Sequence, residues 1–170
     1  MTKKLDILSV DCDWIISLKQ QEELLNFVIP LLYTHDNVVT SLVHDTIYPI
    51  FEHGYDEYNL INIDHHHDFS YSNELDDKLN EGNWLFHLSN IFKKKINYIW
   101  INNPNSHHVL INRLNNLKSY YFDHNLSYIK NKKFDKIFIC CSPDYALAAE
   151  AIIAFKILER IVNENKKSRP

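Results

Sequence analysis

Short apolar runs alternate with helical patterns along this chain of 170 residues. The runs predicted as strands are 5–10, 37–42, 59–63, 96–101, 118–122 and 136–141. These runs are apolar enough to be buried on both faces, which is typical of strands in parallel sheets that are separated by helices. The alternation therefore predicts an α/β fold, in which a mostly parallel sheet lies between two layers of helices. No linker or repeat divides the sequence, so we expect a single domain over residues 1–170.

Helical patterns of useful length fall between these runs. One begins at Ser17, one at Gly82-Asn83-Trp84, and a long one at Tyr145 with its end predicted at Asn163. Each shows apolar residues at helical spacing. A shorter helix is predicted over 106–114.

The densest group of metal-ligand side chains is Asp64-His65-His66-His67-Asp68, which follows the strand predicted at 59–63. In an extended segment the alternate side chains Asp64, His66 and Asp68 lie on one face. Like-charged Asp64 and Asp68 would repel each other there unless a cation lay between them. The pattern therefore predicts a metal site. The alternative is a polar loop rich in histidine.

Two other predicted strands also end in ligand-type residues. Asp11 and Asp13 follow the strand at 5–10, and His44 follows the strand at 37–42. Ligands of open parallel sheets bind beyond the carboxyl ends of the strands, where these side chains fall. The alternatives are a turn with a helix cap for the two aspartates and a structural role for the histidine. The predicted ligand set is Asp11, Asp13, His44, Asp64, His66 and Asp68.

Four carboxylates and two imidazoles are more donors than one zinc ion needs, and structural zinc commonly takes sulfur and nitrogen. An oxygen-rich set with some imidazole suits Mn²⁺ or a similar divalent ion. Such a set can hold two ions if some carboxylates bridge. Two ions that share a water lower its pKa and make hydroxide available near neutral pH. The set therefore predicts hydrolysis at an electrophilic centre.

The sequence resembles the superfamily that contains the arginases (ureohydrolases) and the histone deacetylases. Asp64-His65-His66-His67-Asp68 matches its Asp-x-His-x-Asp motif, Asp11-Cys12-Asp13 its Asp-x-Asp motif, and His44 its isolated histidine. The resemblance implies two Mn²⁺ ions with a bridging hydroxide. One ion would be held by His44, Asp11, Asp64 and Asp68. The other would be held by His66, Asp11, Asp13 and Asp64, so that Asp11 and Asp64 bridge.

The order of the motifs differs from that of ordinary arginases. There the Asp-x-Asp motif follows Asp-x-His-x-Asp, whereas here Asp11-Cys12-Asp13 comes first, and this chain is much shorter. The order implies an arginase-like domain that is circularly permuted. A permuted strand can take the same place in a parallel sheet, so the departure is compatible with the same site.

A narrower resemblance is to a family of small arginase-like proteins that includes peptide arginases of ribosomal-peptide (RiPP) biosynthesis. The shared features are the motif His-Asp-x-x-x-Pro at 44–49, the histidine cluster, Gly82-Asn83-Trp84 and Ser142-Pro143-Asp144. The resemblance implies a hydrolase whose partner is an arginine-containing precursor peptide. Its arginine side chains would be converted to ornithine with release of urea.

Such a reaction needs a proton for the leaving amine, and an unligated histidine could supply it. The candidates are His65, His67, His87 and His107, of which we favour His67 and His87. A carboxylate should also pair with the substrate guanidinium.

Asp144 is the predicted partner of the guanidinium, because it follows a strand end. Its alternative role is a cap in the first turn of a helix. Asn83 and Trp84 are predicted to bind substrate, although Trp84 could equally belong to the core.

Charge and cysteine content bound the remaining possibilities. A formal net charge of −4 argues against nonspecific nucleic-acid binding, so no nucleic-acid partner is expected. No apolar stretch is long enough to span a membrane, and the N-terminus has no signal-peptide core. Cys12, Cys140 and Cys141 are an odd count with two adjacent, which disfavours disulfides and indicates a reducing, cytoplasmic setting.

Two other functions fit the same residues. One is a deacetylase or another amidohydrolase that uses the same dinuclear site. The other is a non-catalytic domain that binds a metal or a partner, although such a domain would have no need of the whole ligand set. Release of urea from an arginine-containing peptide would distinguish a peptide arginase from both of these alternatives.

Overall fold

A computed structural model describes residues 3–51, 55–69, 78–91, 93–106 and 117–168. Its strands form one six-stranded sheet in the order β2-β6-β1-β3-β4-β5. Every neighbouring pair is parallel, which confirms the prediction of a parallel α/β sheet. The strands are β1 (Lys4–Asp11), β2 (Val38–Thr40), β3 (Glu57–Asp64), β4 (Lys95–Asn102), β5 (Leu117–Asp123) and β6 (Lys136–Cys140).

Both faces of the sheet are covered. Leu8 and Val10 of β1 belong to a core formed with α1 (Leu18–Thr34) and α3 (Ala149–Ser168), which pack against each other. The alternate β1 residues Leu5 and Ile7 face a second core on the other side of the sheet. That core includes the short helix α2 (Trp84–Phe86) and the 3-10 turn His44–Ile50. The arrangement is consistent with three layers, as the buried strands predicted.

The N-terminal helix forms where its capping residue predicts. The Ser17 side chain accepts a hydrogen bond from the Gln20 backbone N–H, which satisfies one free donor at the start of α1. The helix then continues through Pro30 to Thr34. The pattern predicted from Gly82 is only partly an α-helix, because α2 passes directly into a π-helical turn, His87–Ile91. The short helix predicted over 106–114 lies outside the described residues after its first position, and His107 lies there with it.

The C-terminal helix begins later than its sequence pattern predicts. Tyr145 belongs to a turn after β6, where its N–H donates a 2.8 Å hydrogen bond to the carbonyl of Ser142. Ser142 has φ 41°, in the left-handed region, and this conformation turns the chain before a helix can start. Helix α3 therefore covers Ala149–Ser168, and it continues past the end predicted at Asn163. Basic residues in its last turn favour that extension through the helix dipole.

The topology brings the ends of distant strands to one edge of the sheet. Asp11 at the end of β1 is in register with Cys140 at the end of β6, and Val10 is in register with Ile63. The carboxyl ends of β1, β3 and β6 are therefore adjacent, and this edge carries the predicted ligands. Within the described parts of the chain, no helix has both the length and the apolar character needed to cross a membrane.

Candidate metal centre

Three carboxylates surround one imidazole at this edge of the sheet. Nδ1 of His44 lies 3.1 Å from Oδ2 of Asp64. The Oδ2 atoms of Asp11 and Asp68 each lie 3.3 Å from the same nitrogen. The other ring nitrogen, Nε2, lies 2.8 Å from Oγ of Ser9, a contact that orients the ring with Nδ1 toward the carboxylates. All these side chains are buried. We call His44, Asp11, Asp64 and Asp68 the His44 group.

A second group lies beside the first and shares Asp64 with it. Nδ1 of His66 lies 2.7 Å from Oδ2 of Asp13 and 3.9 Å from Oδ1 of Asp64. Oδ1 of Asp64 also accepts a 2.7 Å hydrogen bond from the His66 backbone N–H. Asp64 thus directs Oδ2 to the His44 group and Oδ1 to this His66 group. In each group three residues bring ligand atoms close enough together to hold a metal ion: His44, Asp64 and Asp68 in the first, and His66, Asp13 and Asp64 in the second.

Asp11 connects the His44 group to the loop that follows β6. Its Oδ2 accepts a 2.5 Å hydrogen bond from Oγ of Ser142, and its Oδ1 accepts one of 3.1 Å from the Asp13 backbone N–H. The Cys140 thiol also lies within 4.8 Å of ligand atoms of Asp11 and His44. Both bonds hold the carboxylate in place, so the position of Asp11 depends on the pairing of β1 with β6.

The histidine cluster converges through a turn rather than through strand alternation. Strand β3 ends at Asp64, and Asp68 has φ 59°, so the segment between them is not extended. The prediction that an extended segment places Asp64, His66 and Asp68 on one face is therefore wrong in its geometry. The structure nevertheless brings all three side chains to the site. Asp68 is held there by a 2.6 Å hydrogen bond from Nε1 of Trp84.

The buried carboxylates repel one another strongly. Burial, and then the charges of Asp11 and Asp64, hold the pKa of Asp13 well above its usual range. Burial, followed by the charge of Asp64, does the same to the pKa of Asp68. Two raised carboxylate pKa values mean that this space favours added positive charge. A divalent cation supplies that charge, and the donor set therefore fits a metal ion.

Protonation of His44 compensates part of this charge in the metal-free protein. Burial opposes the imidazolium, but the combined attraction of Asp68, Asp11 and Asp64 outweighs it and raises the pKa of His44 well above its ordinary value. Burial also opposes ionisation of Asp64, yet its hydrogen bond and charge interaction with His44 lower its pKa to about 2. His44 and Asp64 therefore form a buried ion pair that a metal ion would replace.

The two favoured proton donors are buried and are not among the described residues that line the pocket. His67 is 1% exposed, and its ring packs edge-on against Trp100 at 5.9 Å. Burial lowers the pKa of His67 to about 4, although the charge of Asp64 opposes this, so the ring is neutral near pH 7. His87 is also buried, with the Phe86 ring 5.9 Å away. Among the described residues, neither histidine lines the pocket over the two groups.

The predicted substrate-binding residues take supporting positions. The Asn83 amide donates to the Lys78 carbonyl over 2.9 Å and accepts from the Asn80 backbone N–H over 2.8 Å, so it holds the turn before α2. The Trp84 ring is buried against the His44 ring, with 4.8 Å between ring centroids. Asp144 is exposed in the turn after β6. None of Asn83, Trp84 and Asp144 is among the described residues that line the pocket.

Four residues outside the predicted ligand set line the pocket, which has a volume of about 40 Å³. They are Glu81, Gly82, Ser142 and Tyr145. The Tyr145 ring meets the His66 ring edge-on, with 5.5 Å between centroids. The sequence pattern predicts Tyr145 in a helix and assigns no site role to Glu81, so their contribution to the pocket is not anticipated from the sequence. The only local signal was that Glu81 precedes the Gly82-Asn83-Trp84 motif.

Glu81 is the non-ligand carboxylate of this pocket. Its Oε2 atom is buried and has no hydrogen-bond partner among the described residues. Burial, together with the charges of Asp11 and Asp45, raises its pKa, while a hydrogen bond with Ser142 acts in the opposite direction. A buried carboxylate oxygen that accepts no hydrogen bond costs free energy of folding, unless a bound ligand donates one to it. Glu81 is therefore placed to receive a donor from a bound molecule.

The fold and the site together define an α/β protein with adjacent buried Asp and His groups that could hold a metal ion. Comparisons of the chain with family models, with curated proteins and with solved structures find no match.

Proposed function

We propose that this protein is a Mn²⁺-dependent hydrolase that converts arginine in a peptide to ornithine and releases urea. The observation that carries the proposal is the position of Asp64, whose two oxygens face two different histidines. A carboxylate in that position can bridge two ions. The parallel sheet, with ligands at the carboxyl ends of β1 and β3, supports an arginase-like domain that is circularly permuted.

Each ion would have its own histidine. One ion would be held by His44, Asp11, Asp64 and Asp68. The other would be held by His66, Asp13 and Asp64, with Asp11 as a further ligand. Oxygen and imidazole donors favour Mn²⁺ over structural zinc. When bound, such a pair of ions lowers the pKa of a shared water and stabilises charge that develops in the transition state. The chain itself fixes the donors through Ser9, Trp84 and Ser142.

Charge favours a cationic substrate over a neutral one. Two divalent ions would balance the charge of the four aspartates that line the pocket, and Glu81 would remain as its fifth carboxylate. A guanidinium presents planar donors that pair well with a carboxylate. We therefore assign the guanidinium to Glu81 rather than to exposed Asp144. An acetyl-lysine side chain has no charge to pair with Glu81, which weighs against the deacetylase alternative.

The remaining side chains would orient the substrate and carry protons. Oε2 of Glu81 would accept from the guanidinium, and Ser142 would hold Asp11 in position. Because His67 and His87 do not line the pocket, either could protonate the leaving amine only through an intervening group or water.

Mass spectrometry of peptides incubated with the protein and Mn²⁺ tests the proposal. Each arginine converted to ornithine should lose about 42 Da as urea forms by hydrolysis. The Asp64→Asn variant is the matched control and should leave the peptide unchanged. An acetyl-lysine peptide run in parallel reports the deacetylase alternative. Conversion of the acetyl-lysine peptide alone would replace the proposal, and conversion of neither peptide would favour a non-catalytic metal-binding domain.

A further inference from the structure

Large apolar side chains are exposed on the segments that surround the metal pocket. They are Leu42 (60% exposed), Leu79 (39%), Tyr145 (48%) and Leu147 (70%), and we call these four residues the rim. Exposed apolar side chains that occur singly are ordinary, but a group of them on loops around one pocket indicates an interaction surface.

The rim is continuous with the metal pocket. The backbone N–H of Ser142 donates a 2.9 Å hydrogen bond to the Leu42 carbonyl, so the loops that carry Leu42 and Tyr145 are joined. The same Ser142 binds Asp11 through its hydroxyl, and Tyr145 itself lines the pocket. Leu79 lies two positions before Glu81, which also lines the pocket. The apolar surface therefore begins where the ligand groups end.

The charges of the rim segments are negative. Residues 41–46 and 142–150 contain no Lys or Arg, and they carry Asp45, Asp144 and Glu150. In the segment 79–83 the one charged residue is Glu81, with Lys78 flanking it. A surface that combines apolar side chains with acidic ones is complementary to a segment that is apolar and basic.

The size of the pocket sets how a substrate can use this surface. The pocket volume of about 40 Å³ has room for roughly three water molecules, since one water needs about 10–15 Å³ of such space. Only the end of a side chain can approach the metal groups, so the rest of a larger molecule must lie outside, over the rim.

We infer that the rim binds the peptide on both sides of the reacting arginine and selects apolar side chains next to it. This inference rests on the proposed function for the identity of the reacting residue. The apolar neighbours contact Leu42, Tyr145 and Leu147, while the arginine side chain extends between them toward Glu81. Free arginine has no neighbouring residues and could not use these contacts.

Binding and turnover are measured separately to test it. The binding probe is a fluorescein-labelled peptide, Gly-Leu-Lys-Leu-Gly, followed by anisotropy in the presence of Mn²⁺. Its lysine keeps the positive charge but cannot release urea. The turnover substrates are Gly-Leu-Arg-Leu-Gly, Gly-Ser-Arg-Ser-Gly and free arginine.

The rim variants are Leu42→Ser and Leu147→Ser. The matched control is Tyr33→Ser. Tyr33 is 61% exposed near the C-terminal end of α1, whereas the ligands Asp11 and Asp13 precede the N-terminal end of that helix. Each rim variant should weaken binding of the leucine probe about tenfold, which corresponds to loss of one partly buried leucine contact. Each rim variant should also lower kcat/KM for the leucine-flanked arginine peptide by a similar factor. Its kcat/KM for the serine-flanked peptide and for free arginine should change less than about twofold. The Tyr33→Ser variant should match the wild type throughout.

Probe binding that is the same in the wild type and the rim variants, or that is undetectable in the wild type, overturns the inference. Probe binding that depends on the rim, without urea from any substrate, supports the rim as a peptide-binding surface and rejects the proposed hydrolysis. Urea release that is equal for all three substrates and insensitive to Leu147→Ser retains the hydrolysis and rejects the rim.

Discussion

Nε1 of Trp84 donates a 2.6 Å hydrogen bond to Oδ2 of Asp68. The same oxygen lies 3.3 Å from Nδ1 of His44, so the indole fixes a proposed metal ligand from behind. Partners of this kind commonly change metal affinity by about 10–100-fold when they are removed.

The Trp84→Phe variant should therefore bind Mn²⁺ at least about tenfold more weakly than the wild type, as measured by isothermal titration calorimetry. Trp14→Phe is the matched control, because Trp14 is 1% exposed and its Nε1 has no hydrogen-bond partner among the described residues. Both variants lose similar core volume, but only the first removes a donor to a ligand. Equal Mn²⁺ affinity in the two variants would show that the Trp84 hydrogen bond does not support metal binding.

Replacement of Asp64, which both groups share, should reduce Mn²⁺ binding more than replacement of Asp13, which belongs to the His66 group alone. Asp64→Asn should leave the chain folded and abolish Mn²⁺ binding, because Asp64 contacts both histidines. Asp13→Asn should weaken only the ion beside His66, whose Nδ1 lies 2.7 Å from Asp13. Metal analysis after equilibrium dialysis measures the difference. Retention of both ions by Asp64→Asn would refute the bridging role.

The Asp13→Asn substitution should stabilise the metal-free protein but destabilise the protein with Mn²⁺ bound, each relative to the wild type. Burial and neighbouring charges raise the pKa of Asp13, so its ionised form destabilises the metal-free protein near neutral pH. The neutral amide removes that cost and should raise the Tm without metal. With excess Mn²⁺ the same variant should melt below the wild type, because it loses ligand-linked stabilisation. Thermal melts with EDTA and with Mn²⁺ test both signs, and a lower Tm under both conditions contradicts this account.

Glu81 should act on the substrate rather than on the metal. Glu81→Gln should lower kcat/KM for an arginine peptide by about 10–100-fold, the usual range for one lost charge-assisted hydrogen bond. Its Mn²⁺ stoichiometry should equal that of the wild type. Asp144→Asn is the control, because Asp144 is exposed and should change the rate less than about twofold. The reverse result would return the guanidinium to Asp144.

Mn²⁺ binding should weaken as the pH falls. The carboxylates around His44 raise its pKa in the metal-free protein above the unfolded value of about 6.5. Protonated His44 therefore stabilises the metal-free fold fully below that unfolded pKa, and this contribution is lost as pH rises through the folded pKa. A metal ion needs the neutral imidazole and must displace the proton. Calorimetry in buffers of different ionisation enthalpy should detect proton release on Mn²⁺ binding, and affinity that is independent of pH would count against His44 as a ligand.

Much of the fold follows from local pattern. The strand runs, the cap at Ser17 and the ligand types at the ends of β1 and β3 are periodicities or pairings within a few residues, which a sequence displays directly. Strand alternation predicts Asp64, His66 and Asp68 on one face, but the structure brings them together through a turn at Asp68. A left-handed residue of this kind leaves no periodic signal, so its effect was invisible in the sequence.

Neighbouring positions in the sequence are enough to predict the strands, the parallel α/β class and the candidate ligand residues. The tertiary fold sets which oxygens face which histidine, places β6 between β1 and β2, and brings Ser142 to Asp11 across 131 positions. It also turned Tyr145 out of the predicted helix and brought Glu81 to the pocket. These contacts depend on sheet order and on turns between distant segments, and a local pattern does not encode the distance between such segments.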